Sequence, residues 1–452
     1  MDPASGNNSI KLQQFEKNPN WTVRIDPQIE LGVATSEFQV SGATNFPNSS
    51  WAAWENSKTS SGVPCIENGD RSGKALDFWN HPEILISKLK ELGVKHYRFS
   101  VQWSAIQPEK GMIDESALVN YVDLCNNLIK NGINPFITLH HFSDPQWFLN
   151  AGGFENEANI QNFIDFSKIV YTRLCPFVKE WITFNEPTIY AFQGYVMGVF
   201  PPGITEPSRA GVVLKNMLKA HCDVYDELKK IDGTTKIGIA HQALRFRPYS
   251  EYNPIESTTC YYLTQMTHQC AMDFFKTGTF NFDIPLCKAV TYKNPSIQHK
   301  LDFFGVQYYT DPLIGMEFST KFMDSTCYAN EKMTDMPFRF YPQGLASLLD
   351  ECRALNKPIW ITETGAAANE NDQKEYITKA LQTASYAKSM GVPVERVHVW
   401  SLIDNFEWNM GWPKKFGLFS FDPQTQDSKL KLAGLFLKSL IEKSNEGPSK
   451  PV

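Results

Sequence analysis

Two glutamates close apolar runs of similar composition at distant points in the chain. Glu186 ends the run "WITFNE" and Glu363 ends "PIWITE", and each run is typical of a buried strand. Two carboxyl groups in one site can divide acid–base chemistry, because one can stay protonated as a donor while the other is ionised. A single acid at a strand end is more often paired with a surface lysine. The matching positions of these two acids therefore favour a catalytic pair.

The other residues at predicted strand ends suit a ligand that carries many hydroxyl groups. Amide, carboxylate and imidazole side chains can hydrogen-bond to hydroxyls, and indole rings can stack on the face of a sugar. These residues are Gln39, Arg98, His141, Asn185, Tyr309, Trp400, Glu407 and Trp408. A pair of acids flanking the scissile bond is also what glycoside hydrolysis requires. The sequence therefore predicts an enzyme that acts on glycosides.

The sequence gives little support to metal or nucleotide chemistry. His140 and His141 are adjacent, so on a strand they point to opposite faces and cannot readily bind one ion. We expect at most one of them to face the site, as a hydrogen-bonding partner. The chain lacks H-E-x-x-H, G-x-S-x-G and P-loop motifs. We expect no metal and no organic cofactor.

Short apolar runs rich in β-branched and aromatic residues must position these side chains. Their nearly continuous apolar character predicts strands that are covered on both faces, as in a parallel sheet. The runs lie near residues 30–35, 95–103, 134–141, 180–186, 236–242, 302–309, 358–363 and 397–403.

Amphipathic stretches lie between the runs and predict helices. In "HPEILISKLKELG", Ile84, Leu85, Leu89 and Leu92 have helical spacing, and Gly93 is the expected stop. "LVNYVDLCNNLIKNG" has the same pattern. Eight strands alternating with helices predict an α/β fold, a single (β/α)₈ TIM barrel with long β-to-α loops over its active-site face. The intervals 36–94 and 187–235 are long enough to carry excursions over a barrel end.

A doubly wound open sheet is the structural alternative, but no G-x-G-x-x-G follows the first strand. No repeat or interdomain linker divides the chain. We therefore expect one catalytic domain over residues 1–452, with short flexible ends at about 1–20 and 444–452.

Composition excludes other broad classes. Hydrophobic residues make up 42% of the 452 residues, and the formal net charge is -6, so no basic stripe is available to bind nucleic acid. The nine cysteines show no C-x-x-C pair, which favours free thiols in a reducing compartment. The start of the chain lacks a signal-peptide pattern, and no apolar run approaches about 18 residues. We expect a cytoplasmic protein that binds a small molecule and does not span a membrane.

Seven ordered motifs, which together extend over nearly the whole chain, resemble those of glycoside hydrolase family 1, the β-glucosidase and β-galactosidase group. The motifs are "LGVATSEFQVSGA", "YRFSVQWSAIQP", "TLHHFSDPQW", "WITFNEP", "DFFGVQYYT", "PIWITETG" and "WSLIDNFEWNMGW" followed by "KKFGLF". The resemblance implies a retaining β-glycosidase in which Glu186 is the general acid/base and Glu363 the nucleophile. It further implies that Arg98 and Tyr309 orient the nucleophile.

The resemblance also implies a set of sugar-binding residues. Asn185 would hold the sugar 2-hydroxyl, and Trp400 would lie beneath the ring. Phe142 and Phe416 would complete the apolar wall. The residues implied for the remaining hydroxyls are Gln39, His141 and Glu407, with Trp408 beside Glu407; Gln307 is a further candidate for the pocket.

Some positions discriminate within the family or depart from its pattern. Glu186 stands where the thioglucoside-cleaving plant members have glutamine. The pair Glu407–Trp408 differs from the serine-plus-lysine pattern of 6-phospho-glycosidases, and a carboxylate would repel a phosphate. We therefore expect unphosphorylated β-glucosides, β-galactosides or β-fucosides as substrates. The departures are Thr364 and Gln307, which both replace asparagine, and Ser41, which replaces glutamate.

Two other functions remain open from the sequence. A transglycosylase would form the same glycosyl-enzyme but pass the sugar to another acceptor, and a carbohydrate-binding barrel would keep the fold with weak catalysis. We expect the loops "GYVMGVFPPG" and "FRPYSEYNP" to shape the aglycone side of the site.

Overall fold

The computed structural model describes residues 3–18, 21–315 and 326–445. Eight parallel strands close into a barrel, in which each strand pairs with its neighbours in the chain and the eighth pairs with the first. This confirms the predicted (β/α)₈ barrel. The barrel strands, called the first to the eighth below, are Glu30–Ala34, His96–Ser100, Asn134–His140, Glu180–Asn185, Lys236–Gln242, Phe303–Tyr308, Ile359–Thr364 and Val394–Trp400.

The apolar runs located the first seven strands closely, but the eighth begins earlier than predicted. The prediction was 397–403, whereas the strand is Val394–Trp400. The run misplaced the strand because Ser401, Leu402 and Ile403 are fully buried although they belong to the following loop.

Helices cover the outside of the barrel and alternate with its strands. The helix predicted before the second strand ends at Leu92, and Gly93 stops it with a left-handed φ of 74°. Ile84 was predicted to face the core but is 42% exposed. The longer helices are Pro3–Glu16, Glu37–Asn45, Pro82–Leu92, Glu115–Lys130, Ile160–Leu174, Pro187–Tyr195, Pro207–Ile231, Pro254–Thr264, Cys270–Thr277, Leu345–Cys352, Glu370–Ser389 and Leu432–Asn445.

Additional helices lie in the two long intervals between barrel strands, and two small sheets lie in other loops. Residues 36–94 carry the helices Glu37–Asn45 and Ser50–Glu55, and residues 187–235 carry Pro187–Tyr195 and Pro207–Ile231. Two small two-stranded sheets lie outside the barrel. One pairs Arg247–Pro248 with Leu313–Ile314, and the other pairs Thr279–Phe282 with Val290–Lys293.

The start of the chain differs from the predicted flexible end at about 1–20. Residues Pro3–Glu16 form a helix, and Leu12 and Phe15 are buried. Phe15 stacks on Tyr386 with ring centroids 4.5 Å apart. The apolar pattern of this helix is too weak to reveal it, since few of its residues reach the core. At the other end, the helix Leu432–Asn445 continues past residue 444, and residues 446–452 lie outside the described residues.

Aromatic side chains fill the barrel below the site. Phe136, Phe303 and Trp360 come from the third, sixth and seventh strands and pack together, with Phe303 stacked on Trp360 at 3.8 Å between ring centroids. Residues on opposite strands can meet only inside the barrel, so this layer is a packed core rather than a channel. It supports the polar side chains at the carboxyl ends of the strands.

Three general expectations bear on the described residues. All nine cysteines fall among them and each is free, as predicted. Within the described ranges, no helix is both long enough and apolar enough to cross a membrane. No group of three or more histidine, cysteine, aspartate or glutamate side chains in these ranges is arranged to hold a metal ion.

Candidate active site

A cavity of about 620 Å³ opens at the carboxyl ends of the barrel strands. This is the end at which barrel enzymes carry their active sites. Its wall contains most of the residues predicted for the site, brought together from five strands and their loops. Those residues are His141, Phe142, Asn185, Glu186, Tyr309, Glu363, Trp400, Glu407, Trp408 and Phe416.

Glu186 follows the end of the fourth strand in an uncommon backbone conformation. Its φ is 45° and its ψ is 59°, in the left-handed region, where a non-glycine residue is strained by roughly 1–3 kcal/mol. The strand ladder holds it there, since its amide N–H donates to the Ala240 carbonyl at 2.8 Å. The turn puts the carboxyl into the cavity wall, although Glu186 is 5% exposed.

The surroundings of Glu186 favour its protonated form. Burial raises the pKa of Glu186 well above its usual value, and the charges of Glu363 and Glu407 raise it further. Within the described ranges, no side chain hydrogen-bonds to this carboxyl. Glu186 can therefore carry a proton near neutral pH.

Glu363, on the seventh strand, has partners that favour its anion. Arg98 Nη1 lies 2.5 Å from Oε1, and the Tyr309 hydroxyl donates to Oε2 at 2.6 Å. Burial raises the pKa of Glu363 above its usual value, and the Arg98 charge with the hydrogen bonds from Tyr309 and Arg98 offsets part of this rise. Burial also raises the pKa of Tyr309 well above its usual value, so the phenol stays a donor. Of the two acids, Glu363 is the one that ionises more readily.

Asn185 lies beside Glu186 with its amide orientation fixed from behind. Its Oδ1 accepts hydrogen bonds from Arg98 Nη2 at 2.6 Å and from Gln307 Nε2 at 2.7 Å. Its buried Nδ2 has no hydrogen-bond partner among the described residues. The donor end of this amide is thus free for a ligand.

Gln307 was predicted to be a pocket residue, but it lies behind the wall. It is fully buried, is not among the lining residues, and contacts Asn185 and Glu363 from below. From the sixth strand, Gln307 Nε2 donates to Asn185 Oδ1 and so supports Asn185 rather than a ligand.

Gln39 also lies behind the wall, on the helix after the first strand. Its Nε2 donates to Asn405 Oδ1 and the Phe406 carbonyl, each at 3.0 Å, and to Glu407 Oε2 at 3.2 Å. Its Oε1 has no hydrogen-bond partner in the described ranges. Burial, and then the charge of Glu363, raises the pKa of Glu407 to about 8.

The adjacent histidines face different surroundings, as predicted. His141 lines the cavity, and burial with the Arg98 charge lowers its pKa well below the usual value, so its ring is neutral. His140 points away and forms a hydrogen bond from Nε2 to Asp144 Oδ1 at 3.0 Å. Asp144 also accepts from the Tyr190 hydroxyl at 2.7 Å, which ties the third-strand loop to the helix after Glu186.

Aromatic rings complete the inner wall. The rings of Trp400 and Trp408 each lie 5.9 Å from the His141 ring, centroid to centroid, and Phe416 contacts Tyr309 edge-on at 5.7 Å. Phe142 and Trp408 have left-handed φ values of 62° and 49°. Strained backbone at non-glycine residues is concentrated at functional sites, and Phe142, Glu186 and Trp408 all line this cavity.

Comparison with known proteins agrees with this arrangement. The family model for Glycosyl hydrolase family 1 matches residues 27–446. The chain belongs to that family. It is a glycoside hydrolase, and each of the relatives compared below is also described as a β-glycosidase.

Relatives of family 1 are similar along almost their whole length. Beta-glucosidase A of Thermotoga maritima is 29% identical over 434 residues, which cover 91% of this chain and 96% of the relative. A 6-phospho-beta-galactosidase of Clostridium acetobutylicum is 29% identical over 464 residues, with 91% and 95% covered. The crystal structure of the family 1 beta-glucosidase from Exiguobacterium antarcticum superposes with a TM-score of 0.83 at 25% identity, covering 94% of this chain and 100% of that chain.

Two departures from the family 1 pattern lie outside the cavity wall. The Thr364 hydroxyl is fully buried and donates to the Tyr308 carbonyl at 2.9 Å, away from the cavity. The Ser41 hydroxyl donates to the buried Glu37 carboxyl at 2.7 Å and accepts the Trp79 amide N–H at 3.0 Å.

The prediction missed a second part of the wall, which is mainly apolar. The loop "GYVMGVFPPG" supplies Met197, Val199 and Phe200, as expected, but "FRPYSEYNP" supplies only Phe246. No motif pointed to the turn that contains Met336 and Phe338, because it lies far beyond the end of the sixth strand. The further lining residues that were not predicted are Glu67, Ile189, Gln193, Gln242, Leu244, Pro312, Pro337, Asn409, Met410 and Lys414.

Proposed function

We propose that this family 1 enzyme hydrolyses unphosphorylated β-glucosides, β-galactosides or β-fucosides with retention, through a covalent glycosyl-enzyme. One observation carries the proposal. Two buried glutamates line the same cavity, yet only Glu363 has a guanidinium and a phenol hydrogen-bonded to it. This asymmetry supports one protonated acid and one ionised nucleophile, the pairing that retaining hydrolysis needs.

In the first step, a Glu363 carboxylate oxygen bonds to the anomeric carbon while the bond from that carbon to the aglycone oxygen breaks. Glu186 gives its proton to the departing oxygen, so the aglycone leaves as a neutral alcohol. Arg98 and Tyr309 hold Glu363 in position for the attack. Both oxygens of Glu363 have partners, which limits rotation of the carboxylate.

In the second step, Glu186, now ionised, takes a proton from a water molecule. The water oxygen bonds to the anomeric carbon, and the glycosyl ester bond breaks with its electron pair returning to Glu363. Glu186 regains its proton and the sugar leaves with its original β-configuration. The strained turn at Glu186 supports this double role, since it holds the carboxyl in the cavity wall in both steps.

The sugar would be held by the residues of the inner wall. Arg98 and Gln307 already donate to Asn185 Oδ1, so the amide Nδ2 is the atom left to donate to the sugar 2-hydroxyl. A hydrogen bond to this hydroxyl strengthens in the transition state. Neutral His141 and Glu407 would take other hydroxyls, and Gln39 would hold Glu407 in place from behind the wall. The rings beneath and beside the sugar would be Trp400, Trp408, Phe142 and Phe416.

The wall supports an unphosphorylated sugar. The Glu407 carboxyl lines the cavity, and it would repel a phosphate once it ionises. Lys414 is the single cationic side chain among the described lining residues, and its Nζ already donates to the Asp335 carbonyl at 2.6 Å. A phosphate dianion would thus find few donors here.

A cytoplasmic location remains our proposal. Every cysteine is free, and several are accessible at least in part, including Cys65, Cys175, Cys287 and Cys327. Free thiols support a reducing compartment. The expected partner is the small-molecule β-glycoside itself.

A panel of nitrophenyl β-glycosides with and without a 6-phosphate tests the substrate class. We expect turnover of one or more unphosphorylated glycosides and much slower turnover of the matching 6-phosphates. NMR spectra recorded during the first turnovers should show the β-anomer of the product before mutarotation. An initial α-anomer would refute the retaining mechanism, and preference for the 6-phosphates would refute the substrate class. Sugar transferred to an added alcohol would show transglycosylase activity at the same site.

A further inference from the structure

The cavity wall has two chemically different parts. The inner part is formed by the two catalytic glutamates, Asn185, His141, Glu407 and the aromatic rings around them. Residues farther along the loops form a second part, here called the outer wall. The outer wall consists of Ile189, Met197, Val199, Phe200, Leu244, Phe246, Met336 and Phe338.

The outer wall continues from the catalytic glutamates along the loops after the fourth and fifth strands. Ile189 is one helical turn beyond Glu186, and Leu244 and Phe246 follow the end of the fifth strand. These three are buried, whereas Met197 and Val199 on the next loop are half-buried and reach the rim. A group bonded to the anomeric oxygen of a sugar in the inner part would therefore extend along these side chains.

The turn that carries Met336 and Phe338 is held in place over the cavity. The Thr334 amide N–H donates to the Phe338 carbonyl at 2.8 Å and closes the turn. The Asp335 amide N–H donates to the Ala367 carbonyl at 2.8 Å, and the Asp335 carbonyl accepts from Lys414. Met336 and Phe338 pack against the cluster that contains Trp400 and Phe416. The outer wall is therefore continuous with the aromatic surface of the inner part.

Few polar groups are available beside the outer wall. Gln193 and Gln242 lie on the same side as Ile189 and Leu244, and Glu67, Asn409 and Lys414 lie on the loops after the first and eighth strands. A second sugar carries hydroxyls around its whole edge, and those facing methyl and phenyl groups would lose water without gaining a partner. An apolar group would instead be removed from water, which is favourable.

We propose that the outer wall selects glycosides whose aglycone is a bulky apolar alcohol or phenol, in preference to a second sugar residue. The inference rests on the proposed function, because it assigns the aglycone side of the same cavity. A cavity of 620 Å³ has room for both parts of such a substrate. It falls in the range of about 300–1,000 Å³ that is typical of clefts for drug-sized ligands.

The test compares three β-glycosides of the sugar that the nitrophenyl panel selects. Their aglycones are methanol, 2-phenylethanol and glucose, and release of the free sugar is measured for each. We expect kcat/KM for the 2-phenylethyl glycoside to exceed both others by at least about tenfold, since even one methylene in an apolar pocket changes kcat/KM about tenfold. Methanol and 2-phenylethanol leave through similar alkyl oxygens, so their comparison isolates the outer wall from leaving-group chemistry.

Two methionine variants of the same turn give a matched control. Met336→Asn should lower the ratio of 2-phenylethyl to methyl glycoside turnover severalfold. Met333→Asn makes the same change at a residue that is 38% exposed and outside the cavity lining, and it should leave that ratio unchanged. Equal or better turnover of the disaccharide, or an unchanged ratio in Met336→Asn, would overturn the inference alone. No turnover of any glycoside would overturn the proposed function as well.

Discussion

At the amino-terminal end of the barrel Arg396 is bound to two glutamates, whereas at the carboxyl end Glu186 lines a cavity without a cation bonded to it. Arg396 Nη1 donates to Glu180 Oε2 at 2.5 Å and Nε donates to Glu30 Oε2 at 2.8 Å. The guanidinium also lies over the Trp360 ring, 4.3 Å from its centroid. Burial alone would raise the pKa of Glu30, but Arg396 and His96 lower it. The partners of Glu30 therefore favour its ionised form.

Three glutamates at the opposite end, Glu186, Glu363 and Glu407, line the cavity, and burial raises the pKa of each. Of these three, Glu363 alone has a guanidinium beside it. Stability alone would favour pairing all three, because an unpaired buried acid costs free energy. The contrast fits the proposal that the carboxyl end is arranged for proton transfer. The amino-terminal end around Arg396, here called the floor of the barrel, holds the barrel together.

The largest expected effect follows from removing the proton donor. Glu186→Ala should lower kcat/KM for a glycoside with a poor leaving group by about 10²–10⁴-fold, because the departing oxygen then has no general acid. Formation of the glycosyl-enzyme from a dinitrophenyl glycoside should be much less affected, since that phenolate leaves without a proton. Pre-steady-state release of the phenol measures this step. Equal losses for both substrates would contradict the assignment of Glu186.

The pH dependence of kcat/KM is a second test of the role of Glu186 as the general acid. Wild-type kcat/KM should fall as pH rises through the raised pKa of Glu186, because the protonated form is the active one. The limb should be absent when the wild type acts on the dinitrophenyl substrate, because that phenolate leaves without a proton. An alkaline limb that persists unchanged with the dinitrophenyl substrate would mean that a group other than Glu186 titrates in it.

Substitutions in the floor of the barrel should change the free energy of unfolding and leave the pH dependence of kcat/KM unchanged. Arg396→Met leaves Glu180 partly buried and unpaired, and we expect a loss of about 3–5 kcal/mol in the free energy of unfolding. Arg173→Met removes an exposed pair with Glu115 and serves as the control, with an expected loss below about 1 kcal/mol. Denaturant titration measures both. The alkaline limb of folded Arg396→Met should match the wild type; a shifted limb would couple the floor to the site.

The smallest expected effect concerns the support of Asn185. Gln307→Leu removes one of two donors to Asn185 Oδ1, and a neutral hydrogen bond of about 1 kcal/mol corresponds to roughly fivefold in kcat/KM. The loss should be larger with glycosides that carry a 2-hydroxyl than with the matched 2-deoxy glycosides, in which only the contact of Gln307 with Glu363 is lost. The same loss with both would make Gln307 a general structural residue instead of a positioning residue.

The sequence predicted the barrel well because strand character is local. Its apolar runs marked the strands, and only the eighth, Val394–Trp400, was displaced by a buried loop with the same composition. The helix Pro3–Glu16 was missed because it is anchored by few apolar residues, such as Leu12 and Phe15. Periodicity detects elements that bury a whole face, and this helix does not.

The inner part of the site was predictable for a similar reason. Its residues lie at strand ends, so their place in the barrel follows from their place in the strand. Whether a side chain lines the cavity or lies behind its wall was not predictable, and Gln307 and Gln39 lie behind it. Met336 and Phe338 could not be found either, because hydrogen bonds to Ala367 and Lys414, far away in sequence, bring their turn over the cavity.

Trapping the covalent intermediate tests the central claim most directly. The enzyme is incubated with a 2-fluoro glycosyl fluoride of the preferred sugar, and the mass of the intact chain and of its peptides is measured. The account predicts the addition of one 2-fluoroglycosyl group on Glu363, and no addition in Glu363→Ala. A label on another residue, or an active enzyme that is never labelled and whose Glu363→Ala variant keeps full activity, would contradict it.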